Sequence, residues 1–207
     1  RTRGNGNRTR SEYVLNLQAW LLRNGWKKPK TFLVFIGKQG LGKHLFWEDL
    51  FINGVLGASL GHVVQDMRRF QSNFNMGRLN RCIHVFNECT CIQQNNRTNW
   101  DLMKSLTELV FTAEPKGKES FTATDPAGVV FMSNHLAPVL VANDDRRYAA
   151  TTMNPKHRKN KRYWRRLSDA VKNNDVQRAY FTHLVNRDLS NFEPREIPDT
   201  QCRNHLK

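Results

Sequence analysis

Six consecutive residues, Thr31-Phe32-Leu33-Val34-Phe35-Ile36, are β-branched, aromatic or aliphatic with no polar alternation. A run of that kind predicts a strand buried on both faces, as the centre of a parallel sheet requires. Upstream, Val14, Leu17 and Leu21 recur at helical spacing with Trp20 alongside, and Ser11 stands where a cap belongs. The pattern predicts a helix from Ser11 that closes near Gly25. Shorter apolar runs at 83–86 and 128–132 predict two further buried strands. Helices are expected over 43–51, ended by Asn53-Gly54, and over 99–111. Strands alternating with helices favour an open α/β sheet with right-handed crossovers. The polar, Thr-rich stretch 113–126, with Pro115-Lys116-Gly117-Lys118 inside it, predicts an exposed hairpin under which Phe121 packs, stacking on a base being the alternative. From Pro155 a basic run gives way to helical patterns at 163–172 and 175–189.

With 207 residues, 39% of them hydrophobic, the chain can bury enough apolar surface to offset the entropy of ordering, which excludes a disordered polybasic tail. The 33 Lys plus Arg against 18 Asp plus Glu leave a net charge of +15, and the sequence pI is near 10.2. In a folding chain that balance points to an anionic partner, nucleic acid first, ahead of a generally basic solvated surface. No apolar run approaches the roughly 18 residues of a membrane span, and Arg1-Thr2-Arg3-Gly4-Asn5 does not resemble a signal segment. No membrane partner and an intracellular setting are therefore expected, and the chain is expected to be a segment of a longer protein. Arginines at 1, 3, 8 and 10 among Gly and Asn predict a flexible basic linker over 1–10, then a core over 11–153 and a basic helical extension over 154–207. Cys82, Cys89, Cys91 and Cys202 are too few and too irregular for a disulfide framework, and His84, Cys89 and Cys91 are poorly spaced for zinc.

Gly37-Lys38-Gln39-Gly40-Leu41-Gly42-Lys43-His44 fits Gly-x-x-x-x-Gly-Lys between a buried strand and a helix. Glycines let backbone N–H groups converge on phosphate oxygens, and Lys43 can reach the outer phosphates as a point charge. All eight residues are candidates for binding a nucleoside triphosphate. His44 stands where Ser or Thr would offer a hydroxyl to Mg²⁺, and a neutral imidazole suits a hard, oxygen-seeking ion poorly.

The strand at 83–86 ends in Asn87-Glu88, where a Walker B strand presents carboxylates. Glu88 is the candidate general base, able to orient or deprotonate water beside a γ-phosphate. Asn87 lacks the charge to hold Mg²⁺ strongly, though its amide can hold a metal-bound water. The next strand ends in Ser133-Asn134, placing Asn134 at the same sheet edge, where ligands of open parallel sheets bind. Asp144-Asp145-Arg146-Arg147 then precede another strand-like run, and the arginines serve either as catalytic groups or as partners of the adjacent aspartates.

A glycine loop, a strand ending in acid, a strand ending in Ser-Asn and then Asp-Arg-Arg, in that order, resemble the superfamily-three helicases. The chain resembles in particular the helicase domain of phage- and virus-type primase-helicases, over roughly residues 12 to 200. Phe74-Asn75, Glu114 to Lys118, Asp188-Leu189-Ser190, Pro194 and Pro198-Asp199-Thr200 add to it. The resemblance implies a P-loop NTPase (AAA+-like) core, a parallel sheet flanked by helices, with a small C-terminal helical region. It implies an ATP- and Mg²⁺-dependent ring, typically a hexamer, that translocates on single-stranded DNA beside a primase or polymerase. Carried over, Lys43 contacts phosphates, Glu88 polarises water, Asn134 senses the γ-phosphate, and Arg146 or Arg147 is an arginine finger in a neighbour's site. Lys116 and Lys118 fall where the related helicases carry channel-facing loops. The basic run 156–166, with Tyr163 and Trp164 interleaved, suits either a single-strand surface or a helix with Trp164 in the core. The expected function is thus an ATP-driven DNA helicase or translocase domain of a viral or mobile-element replication protein. The softened metal positions at His44 and Asn87 leave a nucleotide-binding, non-hydrolysing module as the alternative.

Overall fold

The computed structural model describes residues 2–65, 70, 75–87, 105–134 and 147–198. Its centre is a five-stranded parallel sheet in the order β2-β3-β6-β1-β7, with β1 Phe32–Ile36, β2 Gly61–Val64, β3 Ile83–Asn87, β6 Gly128–Ser133 and β7 Tyr148–Thr152. A separate antiparallel hairpin pairs β4 Val110–Ala113 with β5 Phe121–Thr124. β1 is buried at every position, as its unbroken apolar run requires.

The period of two along each strand divides the core. One face carries Phe32, Val34, Phe86, Phe131 and Tyr148, packed with Phe70 and Leu106. The opposite face carries Leu33, Phe35, Val85, Val130 and Met132 against a helical layer. That layer holds α1 Thr2–Arg23, the π-helix α2 Leu45–Leu56, α3 Lys161–Lys172 and α4 Asn174–Val185. Tyr13, Leu17 and Leu21 of α1, Trp47 and Phe51 of α2 and Leu184 of α4 close the core. Each such side chain contributes about 1.5–3 kcal/mol when taken from water. Asn160 and Asn173 cap α3 and α4, their side chains accepting the N–H groups of Tyr163 and of Asp175 and Val176.

Five expectations need correction. The first helix starts at Thr2, not at a Ser11 cap, because extending a formed helix costs no new nucleus. α2 runs through Asn53-Gly54 to Leu56 and stops at Gly57, whose φ is 87°. Gly54 instead permits close approach of α4, since a Cβ there would lie 2.9 Å from Gln177. Val110 and Phe111 lie in strand β4 rather than at the end of a helix over 99–111, and 99–104 fall outside the described residues. Phe121, the first residue of β5, is 45% exposed and does not pack under the hairpin. β2 had no distinct sequence signal, and α4 ends at Val185 rather than 189.

Candidate functional site

Three neighbouring strands, β3, β6 and β1, end at one edge of the sheet, and their exits bring together Asn87, Asn134 and the glycine loop. Gly37 donates its N–H to the Ser133 carbonyl at 3.0 Å, tying the loop to the end of β6. Gly40 and Gly42 have φ of 83° and 77°, a conformation that costs other residues about 1–2 kcal/mol. The turn these create returns Lys43 toward its own loop. Lys43 Nζ donates to the Gly37 carbonyl, to the Lys38 carbonyl at 3.3 Å and to Asn134 Oδ1 at 3.0 Å.

Around this lysine lies a cavity of about 430 Å³ lined by Gln39 to Leu45, Asp49, Asn87, Asn134, Arg158 and Trp164. Its loop residues are therefore those singled out from the sequence, and Lys38 touches Lys43 from the exposed side. Asn87, Asn134 and Lys43 meet as the motif order suggested. Glu88 and Arg146 lie outside the described residues, as do Cys89, Cys91, Cys202 and Phe74.

Arg147 does not join this cavity. Its carbonyl accepts from Phe32 N–H at 2.7 Å at the opposite end of β1, so about five residues of strand, roughly 16 Å at 3.3 Å each, separate it from the glycine loop of its own chain. It lines a basic cavity with Lys30, Thr31, Thr107 and Arg195.

Three further residues line the cavity: Asp49 carries no local signal in the sequence, while Arg158 and Trp164 belong to the basic run 156–166, read as a single-strand surface or a helix with Trp164 in the core. Asp49, one turn beyond Leu45 on α2, places a carboxylate in the cavity. Arg158 Nε donates to the Gln39 carbonyl at 3.2 Å. Trp164 lies over Gly42 so closely that a Cβ on that glycine would sit 2.5 Å from its ring. Trp164 is held there by its Nε1–H, which donates to the His157 carbonyl at 2.7 Å.

The donor set fits a polyphosphate: a lysine now satisfied by carbonyl and amide oxygens, left-handed glycines and an arginine converge on one cavity. It fits a hard divalent ion less well. His44 Nδ1 pairs with Glu48 Oε1 at 2.7 Å, so the imidazole at the usual hydroxyl position already has a partner. Burial pushes the Glu48 carboxyl up, and the charge of His44 opposes it.

A second polar cluster lies at the other end of the sheet, inside the core. Asp125 accepts from Arg78 Nε at 2.9 Å and from Ala127 N–H at 3.2 Å, and pairs with His84 Nε2 at 3.0 Å and with Lys28 Nζ at 3.5 Å. Burial alone would raise its carboxyl pKa, but His84, Lys28 and Arg78 outweigh burial and hold it well below the usual carboxylate range. Burial pushes Lys28 down to about 8 against the pull of Asp125. The network anchors the hairpin. Asp125 follows β5, its N–H bonds to the Leu109 carbonyl at 2.7 Å, and Arg78 lies 4.3 Å over the Phe111 ring. Asn75 adds two bonds to the same hairpin, to the Thr112 carbonyl at 2.8 Å and from Glu114 N–H at 3.0 Å. The far end carries Lys116, Gly117 and Lys118, all exposed. His84 thus belongs to this cluster, and among the described residues no group of three or more His, Cys, Asp or Glu side chains is arranged to hold a metal ion. No helix among them is long and apolar enough to cross a membrane.

Solved structures share this fold at low identity. The apo structure of the NrS-1 C terminal region superposes with a TM-score of 0.81 at 18% identity, covering 94% of this chain and 46% of that one. A second form of that region gives 0.75 at 19% identity, with 94% and 45% covered. JCV Helicase, in a complex with a thiazolopyridine acetamide, gives 0.54 at 16% identity, covering 88% of this chain and 52% of that one. The chain spans about half the length of these solved chains, and the likeness is one of fold. No curated protein matches the sequence. Residues 35–147, from the end of β1 to the start of β7, match the family of unknown function DUF5906. That stretch is more than half of the chain and takes in the glycine loop, both strand-end amides and the hairpin, so the chain belongs to the DUF5906 family.

Proposed function

We propose that this chain is an ATP-dependent helicase or translocase domain that moves on single-stranded DNA, as part of a viral or mobile-element replication protein. The observation that carries the reading is the placement of Lys43 Nζ, bonded to Gly37 and Lys38 carbonyls and to Asn134 Oδ1 at the head of a cavity of about 430 Å³. These oxygens mark where phosphate oxygens would be received, and an ammonium that moves from a neutral carbonyl to a phosphate oxygen gains an opposite full charge as its partner. ATP supplies the phosphoryl group whose transfer to water drives movement. Loop residues 37–44 hold the phosphates, Asn134 orients the γ-phosphate or the attacking water, and Glu88 accepts the water's proton. Mg²⁺ would be held mainly through water by Asn87 and Glu88.

Arg147, remote from its own loop, suits a finger reaching a neighbouring subunit, with Arg146 as the alternative, in a ring that is typically a hexamer. Such a finger is worth 10³–10⁵ in rate in other nucleotide hydrolases. Lys116 and Lys118, carried on an anchored hairpin, suit contact with backbone phosphates, and a primase or polymerase would act in the same chain or complex. The test is ATP hydrolysis with and without single-stranded DNA across protein concentration. We expect DNA-stimulated turnover that rises with assembly and is abolished by Lys43→Ala; turnover unaffected by that substitution refutes the assignment.

One observation favours a second reading, a nucleotide-gated binding module without hydrolysis. His44 is engaged by Glu48 and Asn87 carries no charge, so the metal is weakly provided for. ATP binding without turnover in Mg²⁺ or Mn²⁺, unchanged in His44→Ser/Asn87→Asp, would establish it.

A further inference from the structure

The basic segment 155–166 has two working sides. Its inner side meets the glycine loop, Trp164 lying over Gly42 and Arg158 donating to Gln39. On its outer side His157 and Tyr163 stack with ring centroids 4.0 Å apart and planes at 11°. Among the described residues the core aromatics are at most 6% exposed, but Tyr163 is 37% exposed. A cavity of about 650 Å³ runs beside it, lined by Asn160, Arg162, Tyr163, Arg166, Leu167 and Ala170. Tyr163 lines that cavity and His157 does not. No Asp or Glu occurs from Pro155 to Ser168, and Arg162 and Arg166, one turn apart, repel each other on the same helix.

The two sides are mechanically one piece. The His157 carbonyl accepts from Trp164 Nε1, the His157 ring stacks on Tyr163, and Tyr163 meets the Trp164 ring edge-on at 5.0 Å. Asn160 Oδ1 accepts from Tyr163 N–H at 2.9 Å and fixes the start of the helix. Rings locked in this way lose little freedom when a base adds to the stack.

We infer that segment 155–166 is a transducer: its outer face binds single-stranded nucleic acid, Tyr163 carrying a base and Arg162 and Arg166 flanking phosphates, and its inner face couples that binding to nucleotide in the glycine loop. The coupling rests on the nucleotide reading proposed above; the outer site does not. Phosphate in the cavity draws the Arg158 guanidinium from a neutral carbonyl toward an anion, so nucleotide distinguishes two positions of the segment, which a shift in equilibrium requires. Stacked rings with flanking cations are what a base-bearing polyanion uses, whereas an anionic membrane needs only the cations.

The test measures binding of fluorescein-labelled oligo(dT) by anisotropy, at several salt concentrations, with and without a non-hydrolysable ATP analogue. Without nucleotide, Tyr163→Ala weakens binding at least fivefold and Tyr163→Phe less than twofold. Arg162→Ala/Arg166→Ala lowers the slope of log affinity against log salt by about 1.4, two phosphates at 0.7 each. Saturating analogue changes wild-type affinity at least fivefold, and Trp164→Ala or Arg158→Ala removes that change. Tyr163→Ala within twofold of wild type overturns the proposal, as does equal loss in Tyr163→Phe. Loss in the arginine pair of binding to phosphatidylserine vesicles with unchanged oligo(dT) affinity overturns it in favour of a membrane surface. A wild-type affinity indifferent to an analogue that calorimetry shows to be bound overturns the coupling. Calorimetry showing no analogue binding at all refutes the nucleotide reading and the coupling with it, while the Tyr163 arm still decides the outer site.

Discussion

Replacing Asp125 by Asn removes one charge from a site where two cations remain. Asp125 has no exposed side-chain surface, and the side chains of Arg78 and Lys28 are 7% and 2% exposed. The variant keeps the shape and an acceptor oxygen, but the guanidinium that met a carboxylate at 2.9 and 2.8 Å now faces an amide. Breaking a buried ion pair from one side costs about 3–5 kcal/mol, because the remaining charge stays desolvated. At 2–4 °C per kcal/mol for a chain of this size, the melting temperature should fall by about 6–20 °C at pH 7. Urea denaturation and thermal melts measure it, and Arg78→Met in the Asp125→Asn background should recover at least about 1 kcal/mol by removing one stranded cation. The pH dependence has a defined sign. A carboxyl whose folded pKa is depressed stabilises above its unfolded value near 3.9, and that contribution is lost as pH falls below it. Wild type should therefore lose stability below about pH 4 more steeply than Asp125→Asn. A variant within about 1 kcal/mol of wild type at pH 7 would refute the view that this network anchors the hairpin.

Gly42→Ala should cost about 1–3 kcal/mol, since a left-handed φ of 77° and a ring 2.5 Å from the new Cβ both oppose it; melts will show a smaller cost in a Trp164→Ala background, and equal costs contradict the contact. Burial, with the nearby His84 and Arg81, pushes His62 down to about 4. The unfolded chain therefore takes up that proton first, and stability should decline as pH falls from about 6.5 to 4; melts of His62→Gln over that window should show a shallower slope, the remainder coming from His84, which burial also pushes down. Asn75→Ala removes two bonds to the hairpin, one at Thr112 of β4 and one at Glu114 just beyond it, and should cost about 1–2 kcal/mol, with faster hydrogen exchange at the Glu114 amide and little change at Val130 in the sheet centre.

Legibility followed the length scale of the interaction. β1 and β6 were plain in the sequence because both faces of a central strand are covered, so every position must be apolar. The glycine loop was plain because its backbone demands glycine at fixed spacing. The helix expected over 99–111 failed at its end because residues that pair in a hairpin are selected by a partner strand, which no local period reveals. Asn53-Gly54 was misread as a stop for a similar reason: the glycine answers to Gln177, far along the chain.

The candidate site divides the same way. Asn87 and Asn134 at strand ends, and Lys43 on the loop that follows β1, are placed at one edge by the sequence because a parallel sheet brings its carboxyl ends together whatever else the chain does. Asp49, Arg158 and Trp164 reached that cavity only through packing, two of them from more than a hundred residues away. The +15 charge by itself raised the expectation of an anionic partner. Which cations stay outside to meet one, which turn inward to Asp125, and which lie against the glycine loop was decided by the tertiary structure, because burial and partner distance, and not residue type, determine what a charge can do.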